Sequence, residues 1–337
     1  MPVVARKMIL FVLLVILFPL TRSVAQQPGI PTGWSDGYAY ANGIRIHYYH
    51  ATPAPGKPAM VMVHGVTDIG LSWTTLTEKL QDSYDIYMLD ARAHGLSDPF
   101  TPSDDANTLV KDVVEFVRTM KLEKPILMGH SLGAATVMRI GAEYPDLPKA
   151  VIMLDPGLRR MARPATPPAA AAATPAAASV TPASAPVGSS SAPPASQPPA
   201  PDRLSVNMRG TPETLVAQNN YRFEDLVATC RRGTPKWSLL DCQYWALSKK
   251  QYHGAYSANA WQGMSGPMTT GEALAKITAP ALILKADATP EVRKANEEAA
   301  RVMQHGRLVH IDGAGHNLHH DQLARTVEVL KEFLSTL

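Results

Sequence analysis

Ile126-Leu127-Met128-Gly129-His130-Ser131-Leu132-Gly133 is the stretch whose reading decides the fold. An apolar run that reads as a buried strand enters Gly-x-Ser-x-Gly, and an amphipathic helix pattern from Leu132 to Tyr144 leaves it. A turn from strand to helix this sharp forces the serine into a strained backbone angle and leaves its hydroxyl exposed. Glycines two residues to either side are required because a Cβ there would meet the neighbouring strand or helix. The free N–H groups and positive dipole end of the helix behind Ser131 suit a developing oxyanion.

Working outward, apolar segments alternate with helical ones. Ile44–His50 follows the hairpin signal Asn42-Gly43, and Ala59–His64, Tyr84–Asp90, Ile126–Gly129 and Ala150–Leu154 read as strands. Thr108–Met120 and Leu132–Tyr144 have helical patterns between them. The alternation resumes with strand Ala281–Lys285, a helix through Val302, strand Arg307–Ile311 and helix Gln322–Leu334. Strands separated by helices of this length predict an α/β fold: a doubly wound, mostly parallel sheet covered on both faces. The interruption at about 157–276 lies within one sheet domain, and its Trp-bearing part (Trp237, Trp245, Trp261) predicts an inserted helical cap.

Two segments stand apart from the fold. Arg6 and Lys7 precede the apolar run Met8–Leu20, and Ser23-Val24-Ala25 follows it. The run is shorter than the roughly 20 residues a membrane-spanning helix needs, so 1–25 reads as a signal peptide cleaved after Ala25. The product would be secreted or periplasmic, meeting a membrane only during export. Between Pro164 and Pro201 lie 11 of the chain's 29 prolines among Ala, Ser and Thr. That composition has too little apolar bulk to order itself, and 158–203 reads as a disordered spacer. The organisation expected is 26–157 and 278–337 as the two parts of the core, with 204–277 as the cap.

Setting both segments aside leaves about 270 residues, enough for one large single-core domain. Arg6, Lys7 and Arg22 leave with the signal peptide, so 32 basic against 29 acidic residues becomes 29 against 29. This balance gives no footprint for a nucleic-acid partner. In an oxidising compartment, the two cysteines, Cys230 and Cys242, are expected to pair.

Further motifs complete a reaction centre. His64-Gly65-Val66 ends an earlier strand and offers the Val66 N–H as an oxyanion donor beside that of Leu132. Gly313-Ala314-Gly315-His316-Asn317 follows the last strand, and its small residues let a loop carry His316 over the sheet as general base. His316, His319 and His320 lack an acid or cysteine at metal-ligand spacing, so no metal is expected.

Residues 58–157 and 278–337 resemble the α/β-hydrolase superfamily of capped esterases, lactonases and related hydrolases. The resemblance rests on His64 to Asp68 with Trp73, on Asp90-Ala91-Arg92-Ala93-His94-Gly95-Leu96-Ser97, on Gly129 to Gly133, and on Gly313 to Asn317. Ala93 stands where the family usually has glycine, and His94 reads as structural. The resemblance implies a Ser-acid-His triad acting on a small-molecule ester or lactone, with no cofactor. The family's commoner acid position, after Ala281–Lys285, falls here on Thr289, with Asp287 two residues early. Fewer members carry the acid after the preceding strand, where Asp155 lies 24 residues past Ser131. Asp155 is preferred and Asp287 is the alternative. Carbon–carbon bond hydrolysis and perhydrolysis use the same triad, and a silent binding protein on this fold is a rival of another class. Dehalogenase and epoxide hydrolase activities are disfavoured, because the resembling enzymes of those classes have a carboxylate in place of Ser131.

Overall fold

The computed structural model of the chain describes residues 27–105, 107–158, 215–254 and 268–337. Residues 1–25, read as a signal peptide, residues 159–203 of the expected spacer, and Trp261 lie outside the described residues. Leu158, placed in that spacer by its composition, is instead buried in the core, where its apolar side chain continues from β6. Eight strands form one sheet: β1 Ser35–Ala41, β2 Ile44–His50, β3 Ala59–Val63, β4 Asp85–Leu89, β5 Ile126–His130, β6 Ala150–Leu154, β7 Ala281–Lys285 and β8 Gly306–His310. Their order is β1-β2-β4-β3-β5-β6-β7-β8, with β1, β2 and β4 paired antiparallel and the rest parallel. The doubly wound, mostly parallel sheet expected from the alternation is therefore present. Strand β1, which the sequence signalled only through its turn, is added at the edge. Asn42 and Gly43, both at positive φ, make that turn.

Every residue of β5 and β6 is buried, as strands covered on both faces require. Side chains alternate between two cores. Met60, Met62, Met128, Ile152 and Leu284 face one side; Val61, Val63, Leu127, Val151 and Ile283 face the other. Helices α1 (Thr108–Thr119) and α2 (Leu132–Glu143) cover the second face through Val113, Val117, Val137 and Ile140. The C-terminal helix α6 (Leu323–Leu334) covers the first through Val329, Leu330 and Phe333.

The insertion between β6 and β7 contributes α3 (Phe223–Gly233) and α4 (Leu239–Lys250), stapled by the Cys230–Cys242 disulfide. Phe223, Leu226, Tyr244 and Leu247 join the first core, so the two helices share the sheet's own apolar cluster. Helix α4 starts on a capping box in which Ser238 and Asp241 satisfy each other's backbone N–H groups. After α5 (Pro290–Ala300) the chain enters β8, which is only partly covered at the sheet edge. The chain runs from β3 outward to β4 and then back across to β5. The crevice beyond the carboxyl ends of β3 and β5 is thus the switch point where doubly wound sheets place their sites.

Candidate active site

Ser131 occupies the turn between β5 and α2 at φ 52° and ψ −109°, a left-handed conformation that L-residues rarely adopt. Its neighbours enforce this turn. A Cβ at Gly129 would lie 2.2 Å from the Gly133 carbonyl oxygen, and one at Gly133 would lie 2.0 Å from that of Val63. Strand, turn and helix therefore touch backbone to backbone, which only glycine permits. The N–H of Gly133 is spent on the His64 carbonyl. The amides of Leu132 and Val66 have no acceptor among the described residues.

His64 shapes the loop after β3. Its Nδ1–H donates to the Gly65 carbonyl at 2.7 Å, and its Nε2 accepts from the Ala91 N–H at 3.0 Å. His94 acts in the same way, donating from Nδ1 to the Arg92 carbonyl and accepting the Thr67 N–H at Nε2. His94 is buried, and burial, reinforced by His64, holds its imidazole neutral, well below its ordinary range. Ala93, in the glycine position of the family pattern, takes φ 65° and is fully buried.

The structure brings His316 and Asp155 together: His316 Nδ1 donates to Asp155 Oδ2 at 2.6 Å. Asp155 directly follows β6 at φ 46°, and its Oδ1 lies 2.5 Å from Lys285 Nζ and 3.2 Å from the Ala286 N–H. Burial opposes ionisation of Asp155, but His316 and Lys285 more than offset it, and its carboxyl sits far below the usual carboxylate range. No hydrogen bond joins Ser131 to His316 among the described residues; in unliganded sites such bonds are commonly long.

Asp287 does not reach His316. Its carboxylate pairs with Arg293 and accepts the Gly313 N–H at 2.8 Å. It thus anchors the loop that carries His316, a role nothing in the sequence signalled. Asp321 holds the same loop at the Gly315 N–H, and His130 Nε2 donates to the His316 carbonyl at 2.9 Å. His130 is fully buried, and burial followed by the neighbouring His316 brings it down to about 4, so it holds that loop as a neutral donor. His319 lies against Trp73, and His320 Nδ1 is 3.2 Å from Asp241.

Residues 60–329 match the Alpha/beta hydrolase family, and the chain belongs to that family. It is 36% identical over 98 residues to a 2-(acetamidomethylene)succinate hydrolase of Mesorhizobium japonicum, a match covering 29% of this chain and 35% of the relative. It is 32% identical over 133 residues to an N-formylmaleamate deformylase of Pseudomonas putida, covering 39% of this chain and 48% of the relative. The chain thus spans less than half the length of these curated relatives. Among solved structures, E-2-(acetamidomethylene)succinate hydrolase superposes with a TM-score of 0.61 at 19% identity, covering 90% of this chain and 99% of that one. That likeness speaks to the fold. This is an α/β hydrolase whose relatives are hydrolases of several kinds.

Proposed function

We propose that the chain is an exported serine hydrolase that cleaves a carboxylic ester or lactone through an acyl-enzyme. The observation that carries this reading is the 2.6 Å contact of His316 with Asp155 beside the left-handed Ser131 turn. With Asp155 holding the proton on Nδ1, Nε2 of His316 is bare and can take the proton of Ser131. Ser131 Oγ attacks the carbonyl carbon, and the amides of Val66 and Leu132 receive the charge that develops on its oxygen. His316 then protonates the leaving alcohol and activates the water that frees the enzyme. These steps need no cofactor. Helices α3 and α4 act as the cap whose underside selects the substrate.

The similarity to the deformylase favours a second reading, hydrolysis of an N-acyl bond by the same residues. A panel of short-chain nitrophenyl esters, lactones and N-formyl amides tests both. Ester or lactone turnover that disappears in folded Ser131→Ala supports the first reading. Turnover confined to the amides moves the assignment to the second, and turnover surviving in Ser131→Ala removes both.

A further inference from the structure

Lys249 is a buried cation contributed by the insertion. It lies in the last turn of helix α4 with 1% of its surface exposed, and its Nζ donates to both oxygens of one residue: the Thr67 carbonyl at 2.6 Å and the Thr67 hydroxyl at 2.9 Å. Trp245, one turn earlier on the same helix, places its ring 5.0 Å from the ammonium. Thr67 directly follows Val66 and adopts φ 60°, a conformation that is unfavourable for a β-branched residue unless its surroundings impose it. Among the contacts that hold it there are the two bonds from Lys249 and the bond from the Thr67 N–H to His94. On its other side the loop is fixed by His64 on the Gly65 carbonyl, which also accepts the Asp68 N–H. The Val66 amide lies between these two anchorages.

We propose that Lys249 is a positioning residue: by clamping Thr67 in its left-handed conformation from the inserted helix, it aims the Val66 amide at the oxyanion formed on Ser131. The proposal rests on the hydrolase reading above. It ties the insertion to the chemistry: helix α4 completes the oxyanion hole in addition to roofing it.

The charge of Lys249 supplies a readout that packing alone would not. Burial pulls its ammonium down to about 8, partly opposed by the Asp68 carboxylate. The other titratable group it acts on is His94, itself flanked by His64, Tyr252 and His253, and His94 is held neutral. Above that pH, Nζ keeps two N–H donors but loses the charge that strengthens its bonds to Thr67.

The test compares Lys249→Met and Thr67→Val with wild type. Two rates are followed: nitrophenyl ester turnover and inactivation by a fluorophosphonate. The fluorophosphonate forms a bond from Ser131 Oγ to phosphorus, expels fluoride and leaves the serine proton on His316. Lys249→Met keeps the length of the stem. Misplacing an oxyanion donor by a fraction of an ångström to about 1 Å costs on the order of 10- to 100-fold. The expected result is that loss in kcat and in the inactivation rate, with KM within about twofold. The part of the wild-type alkaline limb near pH 8 should also vanish. Thr67→Val removes the hydroxyl that accepts from Lys249 and keeps the carbonyl that does so, and its smaller loss, about three- to tenfold, carries the test should Lys249→Met fold poorly.

Wild-type kcat and inactivation rates in folded variants overturn the proposal, as does a loss confined to KM or a pH 8 limb that persists in Lys249→Met. If the wild-type protein neither hydrolyses the ester nor is labelled at Ser131, the hydrolase reading falls and the proposal falls with it. A labelled wild type with indifferent variants overturns only the role of Lys249.

Discussion

Replacing Asp155 by asparagine tests the triad at its most informative point. The carboxylate receives three donors: His316 Nδ1–H on Oδ2, and Lys285 Nζ and the Ala286 N–H on Oδ1. An asparagine has one oxygen for these two sides. Lys285 can only donate, so it holds the amide oxygen on the Oδ1 side and turns the NH2 group toward His316. Nδ1 must then accept, the ring proton moves to Nε2, and His316 can no longer take the proton of Ser131. A carboxylate-to-amide change that reverses the tautomer in this way costs on the order of 10⁴ in kcat, or about 5 kcal/mol of barrier. The fold should persist, because Lys285 and Ala286 retain their acceptor. The assay is nitrophenyl ester turnover, normalised to folded protein by circular dichroism and thermal melting. Asp287→Asn is the internal control. Its carboxylate serves Arg293 and the Gly313 N–H rather than His316, so its loss should stay within about threefold, under 1 kcal/mol. The reverse ranking would refute the reasoning, and equal modest losses would remove both assignments.

Two further outcomes follow from the buried histidines and the N-terminus. His94, His130 and His319 are held neutral chiefly by burial, His130 down to about 4. An unfolded chain binds protons at these rings from about pH 6.5 downward while the native one does not, so stability is full above that pH and falls toward pH 4. His130 alone accounts for about 2 kcal/mol by pH 5; urea unfolding at pH 7, 6 and 5 measures the sum, and a flat result would contradict it. For export, N-terminal sequencing of the secreted protein should begin at Gln26, and Met1 retained on a membrane-bound form would overturn that reading.

The sequence makes the sheet legible because β5 and β6 are covered on both faces and must read as unbroken apolar runs. The edge strand β1 obeys no such rule: Tyr38 and Tyr40 point to solvent between buried Ala39 and Ala41, and only the Asn42-Gly43 turn betrays it. The same distinction divides the site. Ser131 and His316 stand out because their requirements are local: glycines that let backbones touch, and small residues that let a loop cross the sheet. Asp155 was harder to read, since a strand-end aspartate is common and only its place in the fold brings it to His316. Asp287 shows the limit of alignment by position: it lies near the family's acid site, yet its carboxylate holds the loop bearing His316. Lys249 left no signal at all. Its bond to Thr67 spans 182 positions, and in sequence it is one of two lysines at the end of a helix, Lys249 buried and Lys250 beside it bound to the carbonyls of Asn219 and Tyr221. Which of two adjacent lysines faces inward is decided by the phase of helix α4 on the core, set by Tyr244, Leu247 and the Cys242 bridge. The contact of Lys249 with Thr67 is therefore a part of this site that packing alone determines.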